Sequence, residues 1–511
     1  MAFVHSLIIP LFITLIMFII FLKKWRSSFH TAQKNTPPSP KGLPLIGNIH
    51  QLGTSAHRSL QSLSRQYGHE LLLLHLGRVP VLLASSAKAA REIMKNQDAI
   101  FSNRPKLTIP NRLLYGSRDM AFTPYGEYWR QVRSICVANL LSSKRVQSFR
   151  RVRKEETSAM LNKIGQLASS SSSSVINLSN VFASLSSDIL CRVVLGRKYS
   201  NENREEYEKF KVLGEFAELL GAISWGDYIP WLSWINRVNG LNAKVERVAK
   251  QYDSFLENVI QEHKENEGRK HDDDDGELDF VDILLELQRK NENGFLVEDE
   301  TIKALILDMF GAGTDTTELT LVWVLTELIK NPRTTKILQN EVKNIAENKK
   351  GIIDESDLDK MPYLKATIKE SLRLHTPVPL LIPRECTHDT KVMGYDVLAG
   401  TQVLINAWAI ARDPKSWENP EEFRPERFLD SGVDFRGKDF EFIPFGAGRR
   451  GCPGTSFAVA VVELGLAKLV HSFEFALPDG EKEEDLDMSE TEGLTLHKRL
   501  PLLVVATPFD R

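Results

Sequence analysis

Residues 445–454 read Phe-Gly-Ala-Gly-Arg-Arg-Gly-Cys-Pro-Gly, and they are the most informative stretch of the 511-residue chain. Four glycines and a proline in ten positions exclude the interior of a regular helix or strand, so the backbone must take a tight, specific path. A helix is predicted from about Pro453, which places Cys452 at a helix start, where backbone N–H groups and the helix dipole favour a thiolate. The pattern leaves open a nucleophile, a redox sensor, a metal ligand and an ordinary buried thiol.

The composition is that of an ordinary globular chain that can bury a large core. Apolar residues make up 42% of the chain and charged residues 26%, and the formal net charge is −2. This balance gives no support to a nucleic-acid partner. The four cysteines, at positions 136, 191, 386 and 452, are too widely spaced for a zinc knuckle and too few for a secreted disulfide scaffold. A reducing compartment facing the cytosol fits them better.

The N-terminus is predicted to be a membrane anchor. Residues 2–22 carry no formal charge when His5 is neutral, and a helix of ~20 apolar residues crosses a hydrocarbon core. Basic residues follow this run at positions 23, 24 and 26, whereas a cleaved signal peptide carries them before its apolar run. We therefore expect a single N-terminal transmembrane helix within residues 1–26 and a cytosolic domain after it. A buried helix and a cleaved signal are the alternatives.

The rest of the chain is predicted to be mainly α with a smaller β part. Prolines at 37, 38 and 40 favour a stiff, extended hinge over residues 27–44, ahead of one catalytic domain over residues 45–511. The clearest strand is Arg78 to Ser85. Helices are predicted over residues 86–99, 127–165, 298–330, 333–347, 363–375 and 453–471, further β structure near 378–405 and 490–507, and solvated insertions over 169–174 and 262–277.

The cysteine loop resembles the haem-binding loop of the cytochromes P-450. The family's phenylalanine, glycine, arginine, cysteine and glycine all match at their fixed spacing, as Phe445, Gly448, Arg450, Cys452 and Gly454. The resemblance implies a cytochrome P-450 fold that binds haem b, with the Cys452 thiolate as the axial iron ligand favouring O–O cleavage. It also implies that Phe445 packs beside the sulfur and that Arg450 points at a haem propionate.

Residues 312–316, Ala-Gly-Thr-Asp-Thr, place several groups that disfavour a helix interior in the middle of the long predicted helix. By itself the pattern fits two structures equally: a groove, opened when a Thr hydroxyl bonds to the carbonyl one turn earlier, or a kink that matters only for packing. The family resemblance favours the groove. It implies that Thr316 hydrogen-bonds to dioxygen, that Asp315 supplies protons, and that Ala312 and Gly313 leave room over the haem.

Glu370 and Arg373 lie three residues apart on one predicted helix face, where an exposed pair would contribute only ~0.2–0.5 kcal/mol. Together with Arg427, in the Pro-Glu-Arg-Phe run over residues 425–428, they match a signature of the same family. There the three side chains form a buried ion network. The resemblance therefore implies a structural role, in which the network supports the cysteine loop.

Trp129 and Arg133 lie four residues apart, so they share a helix face. Without the other motifs, an aromatic and a basic residue on a protein surface are as good an explanation. The family uses this pair to contact a haem propionate. By position, Arg384 is expected to be a further propionate ligand, ahead of Arg104.

The implied reaction is monooxygenation of a hydrophobic small molecule with NADPH and O2. The hinge, residues 312–316 and the cysteine loop resemble the plant microsomal A-type group, which implies the endoplasmic reticulum membrane and a terpenoid, alkaloid or phenolic substrate. Electrons would come from a separate NADPH-cytochrome P-450 reductase, docked by Lys144, Arg145 and Arg449. By family position, the substrate pocket draws on residues 105–121, 307–317, 376–382 and 493–495.

Two other functions remain open from the sequence. A haem-thiolate isomerase or dehydratase acting on peroxides would need no reductase, but such enzymes typically lack the acid–threonine pair that Asp315 and Thr316 supply here. A non-catalytic haem sensor or carrier has no use for a proton relay or a reductase surface. Turnover with NADPH, O2 and reductase separates the sensor from the monooxygenase.

Overall fold

The computed structural model describes residues 35–68, 70–170, 174–199, 214–266, 278–290, 297–347, 349, 351–491 and 493–509. The predicted membrane helix over residues 2–22 lies outside these ranges, as does the first part of the hinge. Most of the predicted acidic insertion, residues 267–277, also lies outside them.

Helices dominate the described residues, as the sequence predicts. In chain order the α-helices are α1 (Ala56–Tyr67), α2 (Ala87–Arg91), α3 (Thr108–Leu113), α4 (Glu127–Ile135), α5 (Ser143–Ser148), α6 (Arg150–Ser170), α7 (Leu178–Leu195), α8 (Trp225–Tyr228), α9 (Ile235–Val238), α10 (Leu241–Glu265), α11 (Phe280–Lys290), α12 (Asp299–Lys330), α13 (Pro332–Glu347), α14 (Pro362–Leu374), α15 (Ala407–Ile410) and α16 (Thr455–Ser472). Residues 214–220 are also helical.

The strands form three small sheets. They are β1 (Leu71–Leu76), β2 (Val79–Ala84), β3 (Val175–Asn177), β4 (Arg384–Glu385), β5 (Thr390–Val392), β6 (Tyr395–Val397), β7 (Gln402–Ile405), β8 (Phe473–Ala476) and β9 (Leu503–Pro508). The largest sheet has the order β1-β2-β7-β4, the second β3-β9-β8, and the third pairs β5 with β6. Strand β2 lies inside its sheet, parallel to β7, and its apolar run is buried from Val81 to Ala84. Burial on both faces explains why this strand is a continuous apolar run.

Helix α12 runs through the main apolar core, and α7 packs along it. Most of its residues are buried, including Trp323 and Leu325. It ends at Lys330, because Pro332 restricts Asn331 to a non-helical conformation and starts α13. The predicted helices over 298–330, 333–347, 363–375 and 453–471 are therefore confirmed to within two residues.

The single helix predicted over residues 127–165 is wrong. Helix α4 passes into a π-turn over Cys136–Leu140, and α5 and α6 follow separately. Ser142 causes the break: its backbone is extended, and its Oγ accepts a hydrogen bond from the Arg145 N–H at 3.4 Å. Such a serine caps a new helix rather than continuing the old one. Likewise, the predicted loop over 169–174 begins later than expected, since α6 continues to Ser170.

Candidate functional site

A cavity lies between the middle of α12 and the cysteine loop. Asp308, Ala312, Thr316 and Thr320, spaced four residues apart on one face of α12, line one wall. Residues 444–446 and 450–454 and the first turns of α16 line another wall. The cavity has about 1560 Å³ of empty space, part of it open to solvent.

The glycines of the cysteine loop are required by its packing. Gly448 has φ +69°, and a Cβ added there would lie 2.2 Å from the Met94 carbonyl oxygen. Any side chain would therefore push the loop away from residues 92–98. Asp98 holds the loop in this position, because its Oδ2 accepts a hydrogen bond from the Arg449 N–H at 2.8 Å. The sequence reasoning missed Asp98, which lies more than 300 residues from the loop.

The Cys452 thiol is exposed to the cavity although protein encloses it. Burial raises the pKa of this thiol. The backbone N–H groups of Gly454 and Thr455, the Thr455 hydroxyl and the charge of Arg133 act against burial by favouring the thiolate. Since a metal ligand must be deprotonated, a cation bound in the cavity would complete this stabilisation. Phe445 also lines the cavity.

Four arginines line the cavity: Arg104, Arg133, Arg384 and Arg450. Most of their hydrogen bonds go to backbone carbonyls, for example from Arg133 to Gly451 at 2.9 Å and from Arg384 to Ala447 at 2.9 Å. Burial lowers the pKa of all four, and the charge of Arg384 contributes to lowering that of Arg450 to about 9. The four guanidinium groups thus lie near one another, although Arg384 is paired with Asp98 at 3.2 Å and the Asp119 carboxyl acts on Arg104 and Arg450.

This donor set fits haem b. The Cys452 thiol faces the cavity and would ligate iron, and the four guanidinium groups would bind anions such as the two carboxylates of haem. Carboxylates bound there would restore the ordinary pKa of the arginines, because an opposite charge favours the charged form.

Trp129 does not line the cavity. Its indole N–H donates to the Met120 carbonyl at 3.1 Å, and the Arg450 guanidinium lies 4.3 Å from its ring centroid. Arg450 also donates to the Met120 carbonyl, at 3.1 Å. Trp129 therefore contacts a cavity arginine, while Arg133, one helical turn away, faces the cavity itself.

Residues 312–316 lie inside the continuous helix α12. The Thr316 hydroxyl donates to the Ala312 carbonyl at 2.6 Å, and Thr320 and Thr326 make the same bond to the carbonyl four residues earlier. From α7, the Ser186 hydroxyl donates to the Thr314 carbonyl at 2.8 Å. Gly313 also lines the cavity, and a Cβ added there would lie 3.0 Å from Leu190 Cδ1. The glycine therefore allows the close approach of α7.

Asp315 faces a different side of α12 from Thr316. Its Oδ1 lies 2.8 Å from His497 Nε2, and its Oδ2 accepts a hydrogen bond from the Thr495 hydroxyl at 2.7 Å. Thr495 was expected in the pocket, but residues 493–495 do not line the cavity. The sequence reasoning missed His497.

An acid pair, Asp119 and Asp308, falls within the pocket ranges expected from the sequence, 105–121 and 307–317, although neither acid was singled out there. Asp308 lines the cavity, and its Oδ2 accepts a hydrogen bond from the Met120 N–H at 2.6 Å. Asp119 is fully buried, and its Oδ1 has no hydrogen-bond partner. Burial raises the pKa of Asp119 to about 6, and burial together with the neighbouring Asp119 raises that of Asp308. Burial therefore favours the protonated form of both carboxyls.

Glu370, Arg373 and Arg427 form one buried ion network. Glu370 lies 2.7 Å from Arg373 Nε and 3.0 Å from Arg427 Nε. Arg373 also donates to the carbonyls of Ala411 at 2.8 Å and Pro420 at 2.7 Å. The network thereby joins α14 to the chain that precedes the cysteine loop.

Comparisons with known proteins agree with this geometry. The family model described as "Cytochrome P-450" matches residues 37–505. Cytochrome P-450 71A6 of Nepeta racemosa is 59% identical, over 96% of this chain and 97% of that protein. The (+)-menthofuran synthase of Mentha piperita is 52% identical over 98% and 99%. Tabersonine/lochnericine 19-hydroxylase of Catharanthus roseus is 50% identical over 94% of each chain. A zebra fish cytochrome P-450 solved with abiraterone matches 90% of this chain and all of its own, with a TM-score of 0.74 and 26% identity.

Proposed function

Because this chain belongs to the cytochrome P-450 family, and is therefore an oxidoreductase that binds haem b, we propose that it oxidises a hydrophobic plant metabolite with electrons from NADPH-cytochrome P-450 reductase. Bound haem iron supplies the reductive activation of O2. One observation carries the proposal: the Cys452 thiol and Thr316 line the same largely apolar cavity.

The residues that would hold haem lie around this cavity. Cys452 would ligate the iron, and Phe445 would pack beside its sulfur. Arg133, Arg384 and Arg450 would bind the propionates, with Arg104 as a fourth candidate. Trp129 would act indirectly, by positioning Arg450.

Thr316 and Asp315 would handle protons on the α12 side of the cavity. The Thr316 hydroxyl lies at the cavity wall and would hydrogen-bond to O2. Asp315 would supply protons to that region, and Gly313 would keep the wall open. The raised pKa of Asp308 makes it a polar, proton-bearing group in an otherwise apolar pocket, where it would orient a substrate oxygen or nitrogen.

We propose a terpenoid, alkaloid or phenolic substrate. The relatives are plant monooxygenases of specialised metabolism. The cavity lining that does not belong to the cysteine loop is mainly apolar and includes Val378, Leu381 and Ile382. Such a surface favours a hydrophobic molecule, while the few polar groups set its orientation.

The reductase is proposed to dock beside the cysteine loop. Lys144 and Arg449 are exposed, and Arg145 is partly exposed. Lys144 and Arg145 lie on α5, which packs against α16, the helix that follows the cysteine loop. Neutralising all three is expected to slow reductase-supported turnover more than peroxide-supported turnover. Equal slowing of both would contradict this docking surface.

Residues 1–26 are proposed to anchor the protein in the endoplasmic reticulum membrane, with residues 27–44 as the hinge and 45–511 as the cytosolic catalytic domain. Among the described residues, two helices are apolar and long enough to span a membrane, α7 and α16. Both are mostly buried in the core, so they are best explained as core helices.

The decisive experiment tests whether Cys452 ligates the haem iron. Cys452→Ser should abolish the red-shifted Soret band of the reduced carbon monoxide complex, because an alcohol cannot replace the thiolate. Cys386→Ser is the matched control: that thiol is buried elsewhere and donates to the His388 carbonyl, so the band should persist. A band retained in Cys452→Ser would mean that another residue binds the iron.

A further inference from the structure

The contact between α12 and the loop before β9 is built from ionisable groups. His497 lies 2.8 Å from Asp315 and 3.3 Å from the Thr495 hydroxyl. Glu318, one turn after Asp315 on α12, is close enough to interact electrostatically with both Asp315 and His497. The packing of the loop against α12 does not require an ionisable side chain at residue 497, since a neutral hydrogen-bonding side chain could make the same contact.

The ring of His497 links solvent to the helix. Its side chain is 34% exposed, whereas that of Asp315 is 22% exposed. On the side facing the cavity, α12 presents Thr316, the residue after Asp315. His497 is therefore the more exposed member of the ion pair, and Thr316 follows Asp315 in the sequence on the cavity side of α12.

The charges around His497 favour its protonated form. Desolvation lowers its pKa, but the hydrogen bond to Asp315 and the charges of Asp315 and Glu318 outweigh it, and the pKa is raised. Burial raises the pKa of Glu318 to about 7. The charge of His497 lowers this pKa, and the charge of Asp315 raises it. The neighbouring cations are directed elsewhere: Lys498 donates to the Leu500 carbonyl and Arg499 to the Glu490 carbonyl. The acidic turn Glu483–Asp485 also packs against α12.

We propose that His497 reloads Asp315 with protons from solvent, so that it acts through Asp315 as a positioning residue. This inference rests on the proposed monooxygenase function. The imidazolium gives its Nε2 proton to Asp315 Oδ1, which leaves a neutral imidazole and a protonated carboxyl group. Solvent then returns a proton to the imidazole, and the charge balance is restored. Glu318 stabilises the charged ring, and Thr495 keeps Asp315 turned towards it.

The first test measures the titration of His497 in the full-length holoenzyme. NMR of the reduced carbon monoxide complex with labelled histidines gives the pKa, and the signal is assigned by its loss in either His497→Gln or His497→Asn. We expect a pKa above 6.5 that falls in Asp315→Asn and in Glu318→Gln. A His497 pKa unchanged by Asp315→Asn would overturn the proposal. This readout does not depend on turnover or on the folding of His497→Gln.

The second test measures, without added substrate, how the electrons from NADPH are divided between water and hydrogen peroxide. In reductase-supported NADPH oxidation, proton supply decides how much O2 becomes water rather than hydrogen peroxide, since water needs four protons per O2 and peroxide two. We expect His497→Gln, which keeps a hydrogen-bond donor but cannot carry a proton, to raise the peroxide share at least twofold. His388→Gln, at an exposed histidine, is the control and should leave the share unchanged.

The two proposals fail in distinguishable ways. Loss of the red-shifted Soret band in the unaltered protein would contradict the proposed function. A wild-type peroxide share in His497→Gln, with that band intact, would show that His497 only ties the loop to α12. If His497→Gln lost the band, the effect of Asp315→Asn on the His497 titration would still decide the question.

Discussion

At residue 316, substitutions can test whether the threonine hydroxyl takes part in the proposed proton path. The Thr316 hydroxyl donates to the Ala312 carbonyl and lines the cavity. Thr316→Ala removes the hydroxyl, so we expect several-fold more NADPH to end in hydrogen peroxide while the carbon monoxide spectrum stays unchanged. Thr316→Ser is the matched control, because it keeps the hydroxyl and should behave nearly as the wild type. Unchanged peroxide yield in Thr316→Ala would remove this residue from the proposed proton path.

The Asp119–Asp308 pair predicts how stability depends on pH. The pKa of Asp119 is raised from 3.8 to about 6 by burial, so the folded state keeps a proton that the unfolded chain releases. The contribution of Asp119 to the free energy of unfolding then falls as pH rises from about 4 to 6. Asp119→Asn, which mimics the neutral acid, should remove this contribution in denaturant titrations. Asp485→Asn, at an exposed aspartate, should keep the wild-type pH dependence, and an unchanged pH dependence in Asp119→Asn would contradict the raised pKa of Asp119.

The residues that could be predicted from sequence are those whose role depends on local backbone geometry. The loop around Cys452 is one, since two of its glycines, Gly446 and Gly448, have a positive φ. His497 and Asp98 could not be found in this way. His497 meets Asp315, and Asp98 meets Arg449, only after the chain has folded. The sequence around an isolated histidine or aspartate does not indicate a partner that is distant in the chain.

At the scale of elements, the ion network between α14 and the residues before the cysteine loop should be a major source of stability. Glu370 is fully buried and accepts hydrogen bonds from Arg373, Arg427 and the Arg424 N–H. Removing one member of a buried network costs ~3–5 kcal/mol, because it strands a buried charge. We therefore expect Glu370→Gln to lower the free energy of unfolding by about that amount and to reduce haem content.

The control for this network lies beside it. Glu418 forms an exposed ion pair with Arg424 at 3.0 Å, and such pairs contribute ~0–1 kcal/mol. Glu418→Gln should therefore change denaturant unfolding and haem content only slightly. Similar losses in both variants would mean that burial of Glu370 does not matter.

A helix end could be predicted from sequence where a single residue stops the helix, as Pro332 does after Asn331. The helix breaks between α4 and α6 could not be predicted in this way. Apolar spacing continues through residues 136–141, and Cys136 and Leu140 are buried like helical core residues. Only the Ser142 cap separates the helices, and a serine in a helical pattern is not by itself a break.

At the scale of the whole molecule, apolar composition alone does not separate core helices from membrane helices. Leu178–Leu195 and Thr455–Ser472 pass the length and hydropathy test for a membrane span, yet they lie in the core. What distinguished residues 2–22 in the sequence was the placement of basic residues after them.

An exposed apolar surface lies next to the hinge. Trp231, Trp234 and Val238 are 50%, 54% and 76% exposed. This segment contacts the β1–β2 turn, where the Arg78 N–H donates to the Tyr228 carbonyl at 3.0 Å. In the same turn, the Gly77 N–H donates to the carbonyl of Ile46, two residues after the hinge, at 3.1 Å. The surface therefore lies near the start of the catalytic domain.

We expect this surface to insert at the membrane interface, which tryptophan favours. A chain beginning at residue 27 should still bind phosphatidylcholine vesicles, and Trp231→Ser with Trp234→Ser should weaken that binding several-fold in co-sedimentation. Leu500→Ser is the matched control, because Leu500 is similarly exposed, at 54%, but lies outside this segment. Equal binding by the double variant and the parent would mean that the hinge and anchor alone hold the catalytic domain at the membrane.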